Sequence, residues 1–383
     1  ADLARILSVA GPWDFVFFTG DLVQSGRGEE FDALDRLLRR IWSHLGDLGS
    51  TPVLLAVPGN HDLWRPPASG PGVGAIRDWT TQRSVPGEFW ENAAGVERVL
   101  VADTFGDYQS WWTATRLRPT VQHGLLPGDF SYTSEKHGRR LGIIGLNSSA
   151  FQLQAGPFEG KLGLHAAQFH AVAGEGGGPA WARGHEACLL LTHQPPSWLM
   201  PEALAHLRGE IAIPGRFAAH LFGHMHEPQL TALAEGGAPP RTHWQATSLF
   251  GIETFTTNAG EQSRRHGYAA GRLEVRDDGT AALTFWPREA RRAQAGHLQL
   301  VPDASYVLAD DGRTIPLIAP LAYSPAAPPA APATRPDRAT AEVRVDRRSK
   351  IRDVGIEASE GNVSVTVDDG SAARDIDIVI KKR

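Results

Sequence analysis

Residues 2–10 (DLARILSVA) repeat apolar side chains at helical spacing and end at Gly11–Pro12. Asp14–Thr19 is then a continuous apolar run of strand length that stops at Gly20–Asp21. A run apolar at successive positions suits a strand buried on both faces of a layered sheet. Residues 29–45 (EEFDALDRLLRRIWSHL) place apolar residues every three or four positions, with acids early and arginines late. That pattern predicts an amphipathic helix whose charges complement its dipole. Pro52–Val57 repeats the buried-strand pattern and runs into Pro58-Gly-Asn-His-Asp62. Strand, polar loop, helix, strand, polar loop is the rhythm of an α/β sheet, whose chemistry sits on the loops after the strands.

The rhythm breaks over residues 63–140, where Trp64, Trp79, Trp90, Trp111 and Trp112 lie amid Gly, Pro and Arg. This segment reads as an insertion, and two roles stay open for it: a cap over the site, or an enlarged core filled by aromatics. The strand pattern resumes at Leu141–Leu146 before Asn147-Ser148-Ser149, and at Ala187–Leu191 before Thr192-His193-Gln194-Pro195. It recurs at Ala218–Phe222 before Gly223-His224-Met225-His226. HWQATSL, GYAAGRLEV and TAALTFW, within residues 243–286, predict further strands. The expected organisation is a main domain over 1–323, a Pro/Ala-rich linker over 324–340 and a β-rich tail over 341–383. In the tail, apolar residues alternate at Val343/Val345, Val363/Val365/Val367 and Ile376/Ile378/Ile380, with Asp368-Asp369-Gly370 as a turn between the last two runs. About forty residues of strand bury little core alone. The tail is therefore expected to pair with the main domain, a second copy or a protein partner.

Composition narrows the chemistry. With 383 residues there is room for a large core and an appendage, and a 42% hydrophobic, 21% charged chain is ordinary for a soluble globular protein. No apolar run is long enough to span a membrane, and no signal peptide opens the chain, so the expected location is cytoplasmic. Cys188 is the single cysteine, which excludes an internal disulfide and a thiolate metal site. Any metal then falls to His, Asp, Asn or Glu. A net charge of −5 gives no basic footprint and disfavours a nucleic-acid groove.

The strand ends present Asp21, Asn60–His61, His193 and the pair His224/His226. Hydrolysis of a phosphate ester needs a hydroxide nucleophile at neutral pH and positive charge on the phosphoryl oxygens, which two metal ions about 3.5–4 Å apart supply together. A carboxylate bridges two cations readily, which makes Asp21 the natural bridge. Imidazoles and an amide oxygen suit Mn, Fe or Zn without choosing among them.

The set TGDLVQSG, PGNHD, THQP and GHMH, each after an apolar strand and in this order, resembles the calcineurin-like metallophosphoesterase family over roughly residues 13–286. The alternative, satisfied loop histidines and a capping aspartate, leaves the shared strand-end context unexplained. The resemblance implies a four-layer α/β/β/α sandwich, here with the Trp-rich insertion and a small C-terminal β segment. It implies that Asp21 bridges two divalent ions, that Asn60, His193 and His224 complete one site, and that His226 belongs to the other. It places His61 near the leaving-group oxygen as proton donor or charge stabiliser, with Asn60 and His61 facing substrate. Asp62 either orients His61 or braces its loop.

Two departures matter. The family's first motif, Asp-x-His, is absent before Gly20–Asp21, and residues 2–10 look like the helix that follows the strand bearing it. The expectation is that this motif lies upstream; the competing expectation is a single-metal or inactive protein. The protein phosphatases of the family carry GDxVDRG, whereas this chain has Gln24 and Ser25 in place of the Asp and the phosphate-binding Arg. The run instead resembles the cyclic-nucleotide phosphodiesterases and related bacterial phosphodiesterases. The expected activity is thus a two-metal phosphodiesterase acting on a nucleotide or similar small diester through a metal-bridging hydroxide. A nuclease or phosphomonoesterase of the same fold, or a catalytically silent interaction or oligomerisation module, are the alternatives. Arg288, Arg291 and Arg292 read as a solvated charged face. His165 and His170 read as surface or packing residues, and Asn147 as a helix cap.

Overall fold

The apolar runs fold into parallel strands that lead into the polar motifs. The computed structural model describes residues 2–225, 229–234, 236–245, 247–249, 254–257, 260–263, 266–292, 297–321, 353–359 and 362–368. Helix α1 (Asp2–Ala10) precedes β1 (Phe15–Phe18), and α2 (Gly28–Asp47) joins it to β2 (Val53–Ala56), which pairs with β1 in parallel, Phe18 opposite Ala56.

The Trp-rich stretch folds into α3 (Pro71–Gln82), α4 (Gly87–Glu91), α5 (Val96–Thr104) and α6 (Gly106–Ala114). Trp90, Trp111 and Trp112 are buried, and Trp79 packs on the same cluster, so these aromatics enlarge the core. Trp64 alone of the five stays exposed, at 37%. The sheet resumes at Gln122, within the stretch expected as insertion, because the polar-looking β3 (Gln122–His123) and β4 (Phe130–Lys136) pair antiparallel ahead of β5 (Arg139–Gly145).

Helices α7 (Ala166–Ala173) and α8 (Gly177–Arg183) lead to β6 (Ala187–Leu191), and α9 (Pro201–His206) precedes β7 (Ala219–Phe222). His165 caps α7, accepting from the Ala167 amide at 3.1 Å. With β8 (Gln229–Leu233) and β9 (Arg241–Gln245) these strands form a seven-stranded sheet of order β3-β4-β5-β6-β7-β9-β8, parallel from β5 to β9 apart from the antiparallel edge β8. A small hairpin, β10 (Thr254–Thr257) with β11 (Gly260–Ser263), comes next. A four-stranded antiparallel sheet follows: β12 (Gly267–Val275), β13 (Thr280–Arg292), β14 (Leu298–Pro302) and β15 (Leu317–Pro320), all resting on β13.

Successive residues of the parallel strands face opposite cores, which is why their sequences are apolar throughout. Cys188 and Leu190 face the helical cluster with Phe31, Leu38 and Phe169, whereas Leu189 and Leu191 face the second sheet through Leu283 and Phe285. On that sheet's other side, Ala270 and Trp286 pack on Ile6 and Ala10 of α1. Helices, sheet, sheet, helix: the four-layer sandwich is present. β13 carries Arg288 inward to 3% exposure, where Asp2 of α1 pairs with it, so Arg288 belongs to no solvated face; Arg291 is exposed. Asn147 caps no helix: its Oδ1 accepts from the Ser149 amide and its Nδ2 donates to the Pro127 carbonyl.

The chain divides into two units, Ala1–Ala326 and Ala327–Arg383. In the second, β16 (Asp353–Ser359) and β17 (Asn362–Asp368) form an antiparallel hairpin, Ser359 opposite Asn362. The Val363/Val365/Val367 run is thus a strand whose partner lies before it. The linker 324–340, the runs at Val343/Val345 and Ile376/Ile378/Ile380, and Asp369–Gly370 lie outside the described residues. Among the described residues no helix is long and apolar enough to cross a membrane.

Candidate metal centre

After β1 the chain turns through Gly20 and Asp21, both with positive φ, 96° and 55°. For a non-glycine residue this backbone is strained, and strain of this kind persists where surrounding contacts enforce it. A Cβ on Gly20 would lie 2.3 Å from His193 Nδ1, so only glycine lets the two loops meet. Asp21 Oδ1 accepts the His61 amide at 3.0 Å, which ties the loop after β1 to the loop after β2. His193 follows β6, and His224 follows β7, again with positive φ, 73°.

These side chains converge. His193 Nε2 lies 3.1 Å from Asn60 Oδ1, 3.1 Å from His224 Nδ1 and 3.4 Å from Asp21 Oδ1. Ligand atoms of Asp21, His193 and His224 all fall within 4.8 Å of one another. His193 Nδ1 lies 2.6 Å from the Thr19 carbonyl, which makes Nδ1 the protonated nitrogen and leaves Nε2 a lone pair aimed into the cluster. Its backbone N–H donates to Ser148 Oγ at 3.2 Å. Burial pushes the Asp21 carboxyl up, but the adjoining His193 and the His61 amide outweigh it and hold the group well below the ordinary range. An ionised oxygen, an amide oxygen and imidazole nitrogens facing one another at this range form a group that can hold a cation. The nitrogen and oxygen donors present fit a divalent transition ion.

His61 points its Nδ1 at the Gln24 carbonyl, 2.9 Å away. Asp62 is fully buried and accepts the Val23 amide at 2.9 Å and the Gly59 amide at 2.7 Å. Burial, then the Asp21 charge, pushes its carboxyl up to about 7. Its hydrogen bonds thus run to the two loops rather than to the His61 ring. His226 lies outside the described residues.

A model of the calcineurin-like phosphoesterases matches residues 1–228. The chain belongs to the calcineurin-like phosphoesterase family. No curated protein matches the chain in sequence. Among solved structures, one assigned as a 5'-nucleotidase from Staphylococcus aureus, in complex with alpha-ketoglutarate, is 11% identical. The match covers 78% of this chain and 56% of that one at a TM-score of 0.26, too low to bear on fold or activity.

Other parts of the site are not singled out by the sequence. Trp198, on the segment after His193, meets the His224 ring edge-on, centroids 3.9 Å apart, and its Nε1–H points at Met225 Sδ. Ser148 Oγ donates to Gln194 Oε1 at 2.5 Å while accepting the His193 amide, and so shapes the turn that carries His193. The sequence sign for both is weak: a serine after one strand, and a tryptophan just past THQPP.

Proposed function

We propose that the phosphoesterase hydrolyses a phosphodiester, a nucleotide or similar small molecule, with two divalent ions. The observation that carries this reading is the convergence of Asp21, Asn60, His193 and His224 on one point from four strand ends. When bound, such ions supply positive charge for phosphoryl oxygens and a water acidified enough to act as nucleophile at neutral pH. Asp21 stays ionised as the anionic ligand, with His226 the proposed contribution to the second site. His193 is held to one tautomer by Thr19. Asn60 and His61 adjoin the reacting phosphate. His61, its Nδ1 engaged by Gln24, offers Nε2 to the leaving oxygen as proton donor or charge stabiliser. Asp62 braces the loop that presents both. The preference for a diester rests on Gln24 and Ser25, which replace the acid and the arginine of the phosphatase motif.

The test is hydrolysis of bis-p-nitrophenyl phosphate beside p-nitrophenyl phosphate. The protein is loaded with Mn²⁺, Zn²⁺ or Fe²⁺, carries any native residues upstream of Ala1, and is compared with Asp21→Ala and His193→Ala. Diester turnover lost in both variants is the expected result. Preference for the monoester would make the protein a phosphatase, and no turnover with metal bound would end the catalytic reading.

A further inference from the structure

A second feature adjoins the metal cluster. Gln24, Ser25 and Arg27 from the loop after β1, with His61, Trp64 and Arg65 from the loop after β2, line a groove of about 290 Å³. That is the small end of ligand pockets, which span about 300–1,000 Å³.

Its walls are fixed. Gly26, at φ 65°, packs so tightly that a Cβ would sit 2.3 Å from the Leu63 carbonyl carbon, which locks one loop on the other. Glu30 Oε2 accepts the amides of Ser25 and Arg27 at 3.0 and 3.2 Å. The Trp64 amide donates to the Thr104 carbonyl at the end of α5, 2.8 Å away, so the helical insertion holds this residue in place. Trp64 nevertheless leaves 37% of its surface open, while Leu63 beside it is buried. Among the described residues, neither the Arg27 nor the Arg65 guanidinium has an ion pair or a hydrogen bond, and the nearby Glu30 is engaged by backbone amides.

Two guanidiniums with no partner among the described residues, beside a tryptophan 37% exposed, match an anion joined to a flat ring. Guanidinium forks fit phosphate oxygens, and an indole face stacks a base. We infer that this groove is the leaving-group subsite and that it takes a nucleotide, its base on Trp64 and its own phosphate, distinct from the scissile one, on Arg27 and Arg65. The substrate class is then a phosphodiester whose leaving group is itself a nucleotide. Hydrolysis adds water across the P–O bond, the hydroxyl to phosphorus and the proton to the nucleotide's leaving oxygen. This inference rests on the phosphodiesterase reading above for its place in the reaction, while binding tests it separately.

The probe is adenosine 5'-monophosphate, titrated calorimetrically into the Mn²⁺-loaded protein beside adenosine and ribose 5-phosphate. The nucleotide is expected to bind at least about tenfold tighter than either fragment, since stacking and phosphate pairing each contribute at the scale of a stacked base. Trp64→Ala is expected to weaken it about tenfold and Trp64→Phe to restore most of that. The double change Arg27→Gln/Arg65→Gln is expected to bring the nucleotide to the level of adenosine. Nucleotide binding equal to that of the fragments, or unmoved by these variants, overturns the subsite even if diesters are hydrolysed. The expected binding pattern without any diester turnover keeps the nucleotide subsite and removes the phosphodiesterase reading instead.

Discussion

His193 Nδ1 lies 2.6 Å from the Thr19 carbonyl oxygen, so a ring on the loop after β6 is oriented by the backbone that leads into Asp21. The bond sets the tautomer and aims Nε2 at Asn60, Asp21 and His224. Loss of an orienting partner alone costs about 10–100-fold in metal affinity, and loss of the ligand costs more. His193→Ala and Asp21→Ala are each expected to lower Mn²⁺ affinity more than about 100-fold, read by equilibrium dialysis and elemental analysis. Wild-type metal content in either variant would remove that residue from the ligand set.

Gly20→Ala carries a separate expectation. The added methyl meets His193 Nδ1 at 2.3 Å and the Gly59 Cα at 2.7 Å, at a φ of 96° that alanine rarely adopts. Overpacking and backbone strain each cost about 1–3 kcal/mol. The variant is expected to unfold at lower urea concentration and to bind metal less tightly, because relief of the clash moves His193 away. Unchanged stability would mean that the two loops have slack.

The convergence of Asp21, Asn60, His193 and His224 is legible because buried strands announce themselves as unbroken apolar runs and the polar motifs follow directly. Leu189 and Leu190 face different cores, yet both must be apolar, so the pattern survives without an alignment. What was hidden depends on tertiary contact. β4 turns polar toward its exposed end, so it falls within the stretch expected as insertion. Arg288 reads as solvated in sequence because its partner, Asp2, is 286 residues away. Trp64 could not be told from the four core tryptophans around it, since exposure depends on what α5 and the Gly26 loop leave uncovered. In the tail, Val354 and Ile356 alternate as plainly as Val363 and Val365, but Gly355, Glu357 and the acids around them blur the run that pairs with β17.

Asp62 separates a bracing role from a catalytic one. Both oxygens accept backbone amides, of Val23 and Gly59, from a fully buried position. Removing a buried acceptor leaves those amides unsatisfied at about 1–3 kcal/mol each. Asp62→Ala is expected to lose about 2–4 kcal/mol in urea unfolding and to weaken metal binding with it, while Asp62→Asn, which keeps one acceptor oxygen, loses less. A variant of wild-type stability with reduced turnover would instead give Asp62 a direct part in the chemistry through His61.

The Asp2–Arg288 pair fixes α1 to the second sheet and makes that contact sensitive to acid. Arg288 Nε donates to Asp2 Oδ2 at 3.0 Å and Tyr268 donates to the same oxygen at 2.6 Å, with the arginine side chain 3% and the aspartate 11% exposed. Burial pushes the Asp2 carboxyl up, but the Arg288 and Tyr268 hydrogen bonds and the Arg288 charge outweigh it, and the group is held below its ordinary value. A carboxylate lowered in the folded state stabilises the fold in full above its unfolded pKa, about 3.9 for aspartate, and that contribution is lost as pH falls through the folded value. The pair is therefore intact at pH 7 and at pH 5, and its contribution begins to decline only below the unfolded value of about 3.9. Asp2→Ala strands a buried guanidinium, for which a loss of about 3 kcal/mol is expected at pH 7. The difference between wild type and variant should stay constant from pH 7 to pH 5 and shrink toward pH 3 in urea titrations. A difference that shrinks already between pH 7 and pH 5 would mean that another group, rather than Asp2, carries the acid dependence of this contact.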